Sequence, residues 1–280
     1  MGLIDVKIKN KKYKLFDRLI DELDFLRECN AKNFDAWMII DGGEGLGKSL
    51  GLAIPIACAL DNSFNIDRLV FTQDQFNEAV DNAKPEQAIV WDEFILGGLS
   101  TEAMTNQQSM LLKKSVTMRK KRLYIILVVS RFKLIREYFA VDRSRYLIRA
   151  TTPDGISRGY FELYGYKSKK QRYQLEKNKF QKFTIKMGTP DFNGRFIQPP
   201  PNYFINEESY DEKKEKAIIQ ISEGKEDLKS RKYKEKIQKE QLKTNTLLKH
   251  FNKKRMATHK ELGAIIGIKK TAILERIAKV

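Results

Sequence analysis

The sequence predicts an α/β fold, a three-layer sandwich around a mostly parallel sheet, followed by a small all-helical module. Short apolar runs alternate with segments of helical period along much of the chain. The clearest run, residues 123–129, is continuous and β-branched, which is typical of a strand buried on both faces. A glycine-rich turn joins another such run, residues 36–40, to a helical pattern. Together these features predict helices on both faces of a parallel sheet.

Length and charge limit the classes of function. The chain has 280 residues and a net charge of +17, from 53 Lys and Arg against 36 Asp and Glu. This length fits one α/β core of roughly 200 residues with a small appendage. The basic balance favours a polyanionic partner, either nucleic acid or an anionic membrane surface; a solvated, lysine-rich surface is the alternative.

Cysteine content and hydropathy indicate the compartment. Cys29 and Cys58 are the only cysteines, and both lie in apolar helical patterns. A structural disulfide is therefore not expected, and a reducing cytosol is the natural environment. No apolar run approaches the length that spans a bilayer, so we expect no membrane segment and a cytoplasmic location.

The predicted elements alternate between strand and helix. The first half of the chain is predicted to hold an edge strand within 2–14, a helix at 15–29, a strand at 36–40, a helix at 50–60 despite Pro55, a strand at 68–72, a helix at 73–83 and a strand at 88–91. The second half is predicted to hold a helix at 102–121, strands at 123–129, 146–150 and 156–166, and an exposed basic helix at 167–182.

A change in composition predicts three domains. Residues 1–186 form the α/β domain, and the Pro- and Gly-containing segment that begins at 187 opens a charged linker to residue 243. The pattern of helices resumes in residues 244–280.

The turn after residues 36–40 has the spacing G-x-x-x-x-G-K-[ST] of a phosphate-binding loop. Glycines allow the backbone angles that turn successive N–H groups towards a phosphate at a helix N-terminus. Lys48 would reach the β- and γ-phosphates, and the Ser49 hydroxyl would bind Mg²⁺. The residues predicted to contact the nucleotide are Gly42, Gly43, Glu44, Gly45, Leu46, Gly47, Lys48 and Ser49. We therefore expect a nucleoside triphosphate with Mg²⁺.

A second motif follows residues 88–91, where the predicted strand ends in Asp92-Glu93. An acid at the carboxyl end of a parallel strand lies on the edge where α/β sheets bind ligands. Asp92 is predicted to hold Mg²⁺ opposite Ser49, and Glu93 to orient or deprotonate the water that attacks the γ-phosphate. An acidic strand end is common by itself, but its place about forty residues after a phosphate loop makes it informative.

Polar and basic residues follow the strand at 123–129. Ser130 stands at the strand end, where it would sense the γ-phosphate. Among the arginines that follow, Arg143 or Arg145 is the candidate to reach a neighbouring subunit's nucleotide and stabilise transition-state charge. An ordinary surface arginine is the alternative for each.

Two further segments are candidates for contact with nucleic acid. Cations at the end of the helix at 102–121 either complement its dipole or face nucleic acid: Lys113, Lys114, Arg119, Lys120 and Lys121. Residues 258–277 read as a helix, a glycine-containing turn and a second helix, which is typical of a helix-turn-helix. Its major-groove residues would be Lys269, Lys270, Thr271 and Arg276; a helical hairpin for oligomerisation or packing is the alternative.

The order of elements resembles the additional-strand ATPases that carry a catalytic glutamate, and within them the HerA/FtsK-like DNA-pumping group and the zonular-occludens-toxin-like phage ATPases. The resemblance depends on residues 42–49, 89–93 and 119–150. It implies a RecA-like P-loop fold, ATP hydrolysis and hexameric rings that move DNA. The toxin-like phage ATPases carry a membrane segment, which is not seen in this sequence. The sequence also contains no guanine-reading N-K-x-D motif, which favours ATP over GTP.

The sequence therefore favours an ATP-driven motor, stimulated by double-stranded DNA, that packages or transfers the genome of a virus or mobile element. It would act as a homo-oligomeric ring, in the host cytoplasm if viral. One alternative is an AAA+-like replication initiator or helicase loader, which predicts a sensor arginine in a helical lid; residues 167–182 contain only Arg172. Another is a DNA-tethered regulator that binds ATP without productive turnover.

Overall fold

The computed structural model describes residues 2–34, 36–94, 101–177 and 188–220. In chain order the elements are β1 (Leu3–Ile8), β2 (Lys11–Phe16), α1 (Asp17–Ala31), β3 (Ala36–Gly42), a π-helical turn (Lys48–Ala53) that leads into α2 (Ile54–Leu60), β4 (Leu69–Val70), α3 (Gln73–Asn82), β5 (Ala88–Trp91), α4 (Thr101–Lys120), β6 (Tyr124–Val128), a second π-helical turn (Tyr138–Arg143), β7 (Ser144–Thr151), β8 (Tyr160–Tyr164), α5 (Tyr166–Lys177), β9 (Phe192–Arg195) and α6 (residues 207–220).

The described residues form the mixed α/β fold that the sequence predicts, with a seven-stranded, mostly parallel sheet. The strand order is β4-β5-β6-β3-β7-β8-β9. Strands β3 to β7 are parallel to one another, whereas β8 and β9 add an antiparallel edge next to β7. Strand β6 lies between β3 and β5 although it follows both in sequence. The carboxyl ends of β3, β5, β6 and β7 therefore share one edge of the sheet.

The core lies on both faces of this sheet. Along β3, Met38 and Ile40 pack with α1 and α2, whereas Trp37 and Ile39 pack on the opposite face with α3, α4 and α5. Alternation of side chains along a strand explains why a continuous apolar run is needed here. Within the described ranges, no helix combines the length and apolar character needed to cross a membrane.

The amino-terminal segment differs from the single edge strand that the sequence predicts. Strands β1 and β2 pair as an antiparallel hairpin, in a two-stranded sheet of their own. The turn residues Lys9 and Asn10 both have positive φ, 51° and 62°, as a tight two-residue hairpin turn requires. The basic stretch after residue 9 is thus a second strand.

The carboxyl-terminal boundary also differs. The sequence predicts a linker from residue 187, whereas β9 pairs with β8 and the residues up to Ile219 belong to the same unit as the sheet. Apolar residues scattered among the prolines explain this, since Phe192, Phe196 and Phe204 are all buried. The predicted helix-turn-helix, at residues 244–280, lies outside the described residues.

Helix α5 is the third difference, because the sequence predicts an exposed basic helix there. Lys169 is fully buried, and its ammonium donates hydrogen bonds to the Ser144 backbone oxygen and to Ser144 Oγ, the latter at 2.8 Å. Burial and the nearby Arg145 guanidinium lower the pKa of Lys169 to about 7, and Asp142 opposes the shift.

This burial predicts a pH-dependent stability. Between pH 7 and about pH 10 the unfolded chain binds more protons at Lys169 than the folded chain. The free energy of unfolding of the wild type should therefore rise by about 1 kcal/mol per pH unit over that window, relative to Lys169→Met. Denaturant titrations at pH 7, 8 and 9 measure it, with the exposed neighbour as a control in Lys170→Met. A constant difference between wild type and Lys169→Met would contradict the prediction.

Candidate functional site

The loop after β3 depends on glycine at its two ends. Gly42 has a φ of +137°, and a Cβ at this position would lie 2.5 Å from the Ala150 backbone oxygen. Gly47 has a φ of +84°, and a Cβ there would lie 3.3 Å from the Phe196 ring. Neither position accepts a side chain without strain. The backbone at both ends of the loop therefore requires glycine.

Lys48 folds back over this loop. Its ammonium donates hydrogen bonds to the backbone oxygens of Gly42, at 2.9 Å, and Gly43, at 2.7 Å. Partial burial lowers the pKa of Lys48, and nearby carboxylates, Asp92 first, oppose the shift. The tip of the loop, Glu44 and Gly45, is exposed.

Leu46 and the helix after the loop are tied to the core. Leu46 packs against the cluster that includes α1 and α2. The helix opens with the π-helical turn at Lys48–Ala53, and Pro55 lies in the first turn of α2. Pro55 has no N–H to donate to the turn before it, and that turn is π-helical rather than α-helical. These contacts hold the helix N-terminus against the loop.

Asp92 is the best-satisfied polar side chain of the site. It is fully buried, at 0% exposure. Ser49 donates its hydroxyl to Asp92 Oδ1 at 2.8 Å, and the Glu93 backbone N–H donates to the same oxygen at 2.9 Å. Tyr210 donates its hydroxyl to Oδ2 at 2.7 Å. Burial and the Asp92 carboxylate both raise the pKa of Tyr210, so the phenol stays protonated and donates.

Glu93 lies beside Asp92 at the end of β5. Its φ of 51° turns the chain sharply, which is uncommon for a residue other than glycine. Its carboxylate is partly exposed and forms an ion pair with Lys214 of α6. The structure therefore places the two acidic residues in different environments, one buried and hydrogen-bonded, the other at the surface with a cation.

Ser130 lies at the carboxyl end of β6, as predicted. A cavity of about 410 Å³ brings it together with Gly42 and Gly43. Charged residues of both signs line the rest of the cavity: the cations Arg131, Lys133 and Arg149 and the acids Asp41 and Glu176. The predicted nucleotide contacts at the start of the loop and the predicted sensor residue thus face one volume.

Arg149 is the arginine that reaches this edge of the sheet. Its guanidinium binds both carboxylate oxygens of Asp41, with Nε 2.9 Å from Oδ1, and also contacts Glu176. Burial raises the pKa of Asp41, and the two hydrogen bonds from Arg149 oppose that rise. The pair fixes the end of β3 against β7 just before the loop begins.

Arg143 and Arg145 lie at the opposite edge. Ser144, between them, pairs with Trp37 at the amino end of β3, about 20 Å from the loop at strand spacing. The Arg143 guanidinium lies 5.4 Å from the Trp37 ring centroid, and the Arg145 guanidinium 5.1 Å from that of Phe34. Neither belongs to the site within its own chain, so a role on a nucleotide would require another subunit.

The cations at the end of α4 divide into two groups. Lys121 donates to the backbone oxygens of Val80 and Ala83 at 2.9 Å each, at the end of α3. Lys114 contacts Asp81 at 2.5 Å. These contacts favour a structural role at the carboxyl end of a neighbouring helix, whose dipole attracts cations. Lys113 and Lys120 are exposed, and Arg119 is exposed while donating from Nε to the Asn33 backbone oxygen at 3.2 Å.

The donor set at Ser49 and Asp92 fits Mg²⁺. A hydroxyl and a carboxylate 2.8 Å apart are hard oxygen donors, and Mg²⁺ is usually held by few protein ligands together with waters and phosphate oxygens. Across the described part of the chain, no three His, Cys, Asp or Glu side chains cluster as a metal-binding group. A metal ion at Ser49 and Asp92 would take its remaining ligands from water or phosphate oxygens.

Several residues of the site are missed by sequence patterns. Tyr210 and Lys214 come from a segment whose composition predicts a linker, and no local signal places them at the loop. A Cβ on Gly45 would lie 3.8 Å from Arg158 Nη2, which puts a cation near the loop tip. Arg149 is different, because the direction of β7 already places its last residues at the carboxyl edge and Arg143 at the amino edge.

The chain matches no protein-family model and no curated protein sequence.

The two glycines at the start of the loop allow a direct test of its geometry. Gly42→Ala should lower the free energy of unfolding by about 2–3 kcal/mol, because the new Cβ meets a backbone oxygen at a strained φ. Gly43→Ala should change it by less than about 0.5 kcal/mol, because its Cβ meets only the flexible Leu46 side chain, at 3.3 Å. Chemical unfolding measures both, and equal losses would be inconsistent with the loop geometry.

Proposed function

We propose that this chain is a Mg²⁺-dependent ATPase that drives the movement of DNA. The observation that carries the proposal is the 2.8 Å hydrogen bond from Ser49 Oγ to Asp92 Oδ1. It joins the end of the glycine-rich loop to the acidic end of β5, two motifs that are far apart in sequence. A phosphate-binding loop and a metal-holding carboxylate in this relation are what triphosphate hydrolysis requires.

Each residue has a defined role in this proposal. The loop N–H groups and Lys48 bind the β- and γ-phosphates. Ser49 and Asp92 hold Mg²⁺, which neutralises charge on the phosphates when it is bound. Glu93 accepts a proton from the attacking water as the water oxygen bonds to the γ-phosphorus. The bond from the γ-phosphorus to the β–γ bridging oxygen breaks at the same time, which releases ADP and phosphate. Ser130 contacts the γ-phosphate from the end of β6.

The strand order supports this assignment over other phosphate-loop chemistry. Strand β6 is inserted between β3, which leads into the loop, and β5, which ends in Asp92-Glu93. The position of β6 agrees with the additional strand expected of the ATPase class that the sequence resembles, in which a glutamate follows the metal-binding acid. It favours hydrolysis of ATP over a GTP-dependent switch.

The DNA-related part of the proposal rests on charge. The net charge of +17 favours a polyanionic partner, and the exposed Lys113 and Lys120, seven residues apart, share one face of α4. A homo-oligomeric ring, in which Arg143 or Arg145 acts on a neighbour's nucleotide, belongs to the same proposal. The DNA that the motor would move is, in this proposal, the double-stranded DNA of a virus or mobile element.

Two substitutions separate binding from hydrolysis. Glu93→Gln should lower kcat about 100-fold or more while ATP still binds, because only the proton acceptor is lost. Lys48→Ala should weaken ATP binding itself, because a phosphate-contacting cation is removed. Steady-state phosphate release and the binding of a fluorescent ATP analogue measure the two effects. Unchanged turnover in Glu93→Gln would rule out the assigned role of this residue.

DNA should act on the same reaction. We expect double-stranded DNA to stimulate ATP turnover, and the stimulation to weaken as salt rises, because phosphate contacts release counterions. ATPase assays with and without DNA, at two or more salt concentrations, test this. Stimulation by a single-stranded oligonucleotide is measured alongside, for comparison with the stimulation by double-stranded DNA. Turnover that no DNA changes would leave an ATPase without the proposed motor function.

A further inference from the structure

Helix α6 lies against the candidate site, and the chain before it is anchored to the amino-terminal hairpin. Asn206 caps the helix by accepting a hydrogen bond from the Ser209 N–H at 2.8 Å. The Phe204 ring meets the Tyr13 ring edge-on at a centroid distance of 5.0 Å. Lys213 donates to the Ile66 backbone oxygen at 2.9 Å. Contacts outside the site therefore help to set the position of α6.

One face of α6 contacts both acidic residues at the end of β5. Tyr210 and Lys214 are four residues apart, so they lie on the same face of the helix. Tyr210 donates its hydroxyl to buried Asp92, and its ring packs on Phe71 at 5.6 Å. Lys214 forms the ion pair with Glu93. The two residues of one helix therefore contact the two acids to which the proposed hydrolysis assigns Mg²⁺ and the attacking water.

We propose that Tyr210 and Lys214 are positioning residues through which α6 restrains hydrolysis. This inference rests on the proposed ATPase function. Tyr210 seats the helix on Asp92, and Lys214 holds the Glu93 carboxylate so that turnover is slow while the ion pair is made. Release of Lys214 frees Glu93 for the water.

The physical reason is competition for the carboxylate oxygens. Glu93 must accept a proton from the attacking water as the water oxygen bonds to the γ-phosphorus and the bond to ADP breaks. The Lys214 ammonium bonded to Glu93 Oε1 occupies a lone pair of that oxygen and fixes the direction of the carboxylate. While Lys214 of α6 is paired with it, the Glu93 carboxylate is held away from the attacking water.

The same geometry separates this effect from nucleotide binding. The Lys48 ammonium contacts the loop carbonyls of Gly42 and Gly43, whereas Lys214 contacts Glu93. Loss of the Lys214–Glu93 pair should therefore change kcat and leave KM for ATP nearly unchanged. A change confined to kcat is what removal of a contact to the proton acceptor predicts.

The test is Lys214→Met in the full chain, assayed for steady-state ATP hydrolysis. We expect kcat to rise about three- to tenfold, as release of a partly buried ion pair would allow. Lys214→Arg keeps a cation at this position and should restore low turnover. Lys216→Met is the matched control, since it removes one cation of the same helix whose partner is the exposed Glu212. Its turnover should equal that of the wild type.

A double variant shows whether the effect passes through Glu93. In a Glu93→Gln background, Lys214→Met should give no increase in turnover. An unchanged or lower kcat in Lys214→Met, or a gain that survives Glu93→Gln, would overturn the inference. If wild type hydrolyses ATP and only the Lys214 effect is missing, the ATPase proposal stands without it. If every variant binds the fluorescent ATP analogue and none hydrolyses ATP, both proposals fail.

Discussion

A buried carboxylate, Asp92, is the constraint on which the rest of the site depends. A charged side chain with no solvent exposure is tolerated only if its oxygens are hydrogen-bonded. Three donors meet that need, the Ser49 hydroxyl, the Glu93 backbone N–H and the Tyr210 hydroxyl. They come from the glycine-rich loop, the end of β5 and α6. Satisfying one carboxylate therefore connects three parts of the chain that are distant in sequence.

In the parallel sheet, the end of a strand at which a residue stands decides the edge of the sheet at which it lies. Since β3 and β7 are parallel, Arg149 meets Asp41 beside the loop, whereas Arg143 and Arg145 lie at the opposite edge. Insertion of β6 between β3 and β5 puts Ser130 between the loop and the acidic strand end. Arginines that are close together in sequence are thus placed at opposite edges of the sheet by the direction of β7.

The segment after β9 extends this arrangement across the sheet edge. Phe196 packs against Gly47 and Gly51, where a Cβ on Gly51 would lie 2.5 Å from its ring, and α6 then contacts Asp92 and Glu93. Under the proposed function, α6 touches the acid assigned to Mg²⁺ and the acid assigned to the attacking water, so it could control hydrolysis separately from nucleotide binding. Lys48 would then serve binding through the loop, and Lys214 would serve control through Glu93.

The sequence by itself determined the α/β class, the glycine-rich loop and the acidic strand end, because those features depend on local patterns of apolar residues and glycine. It also located Ser130 at a strand end. Only the tertiary structure decided that Arg149 pairs with Asp41, that residues 188–219 belong to the sheet domain, and that one helix contacts both acids at the end of β5. These depend on strand order and on long-range packing of aromatic residues among prolines, and neither leaves a periodic signal in the sequence.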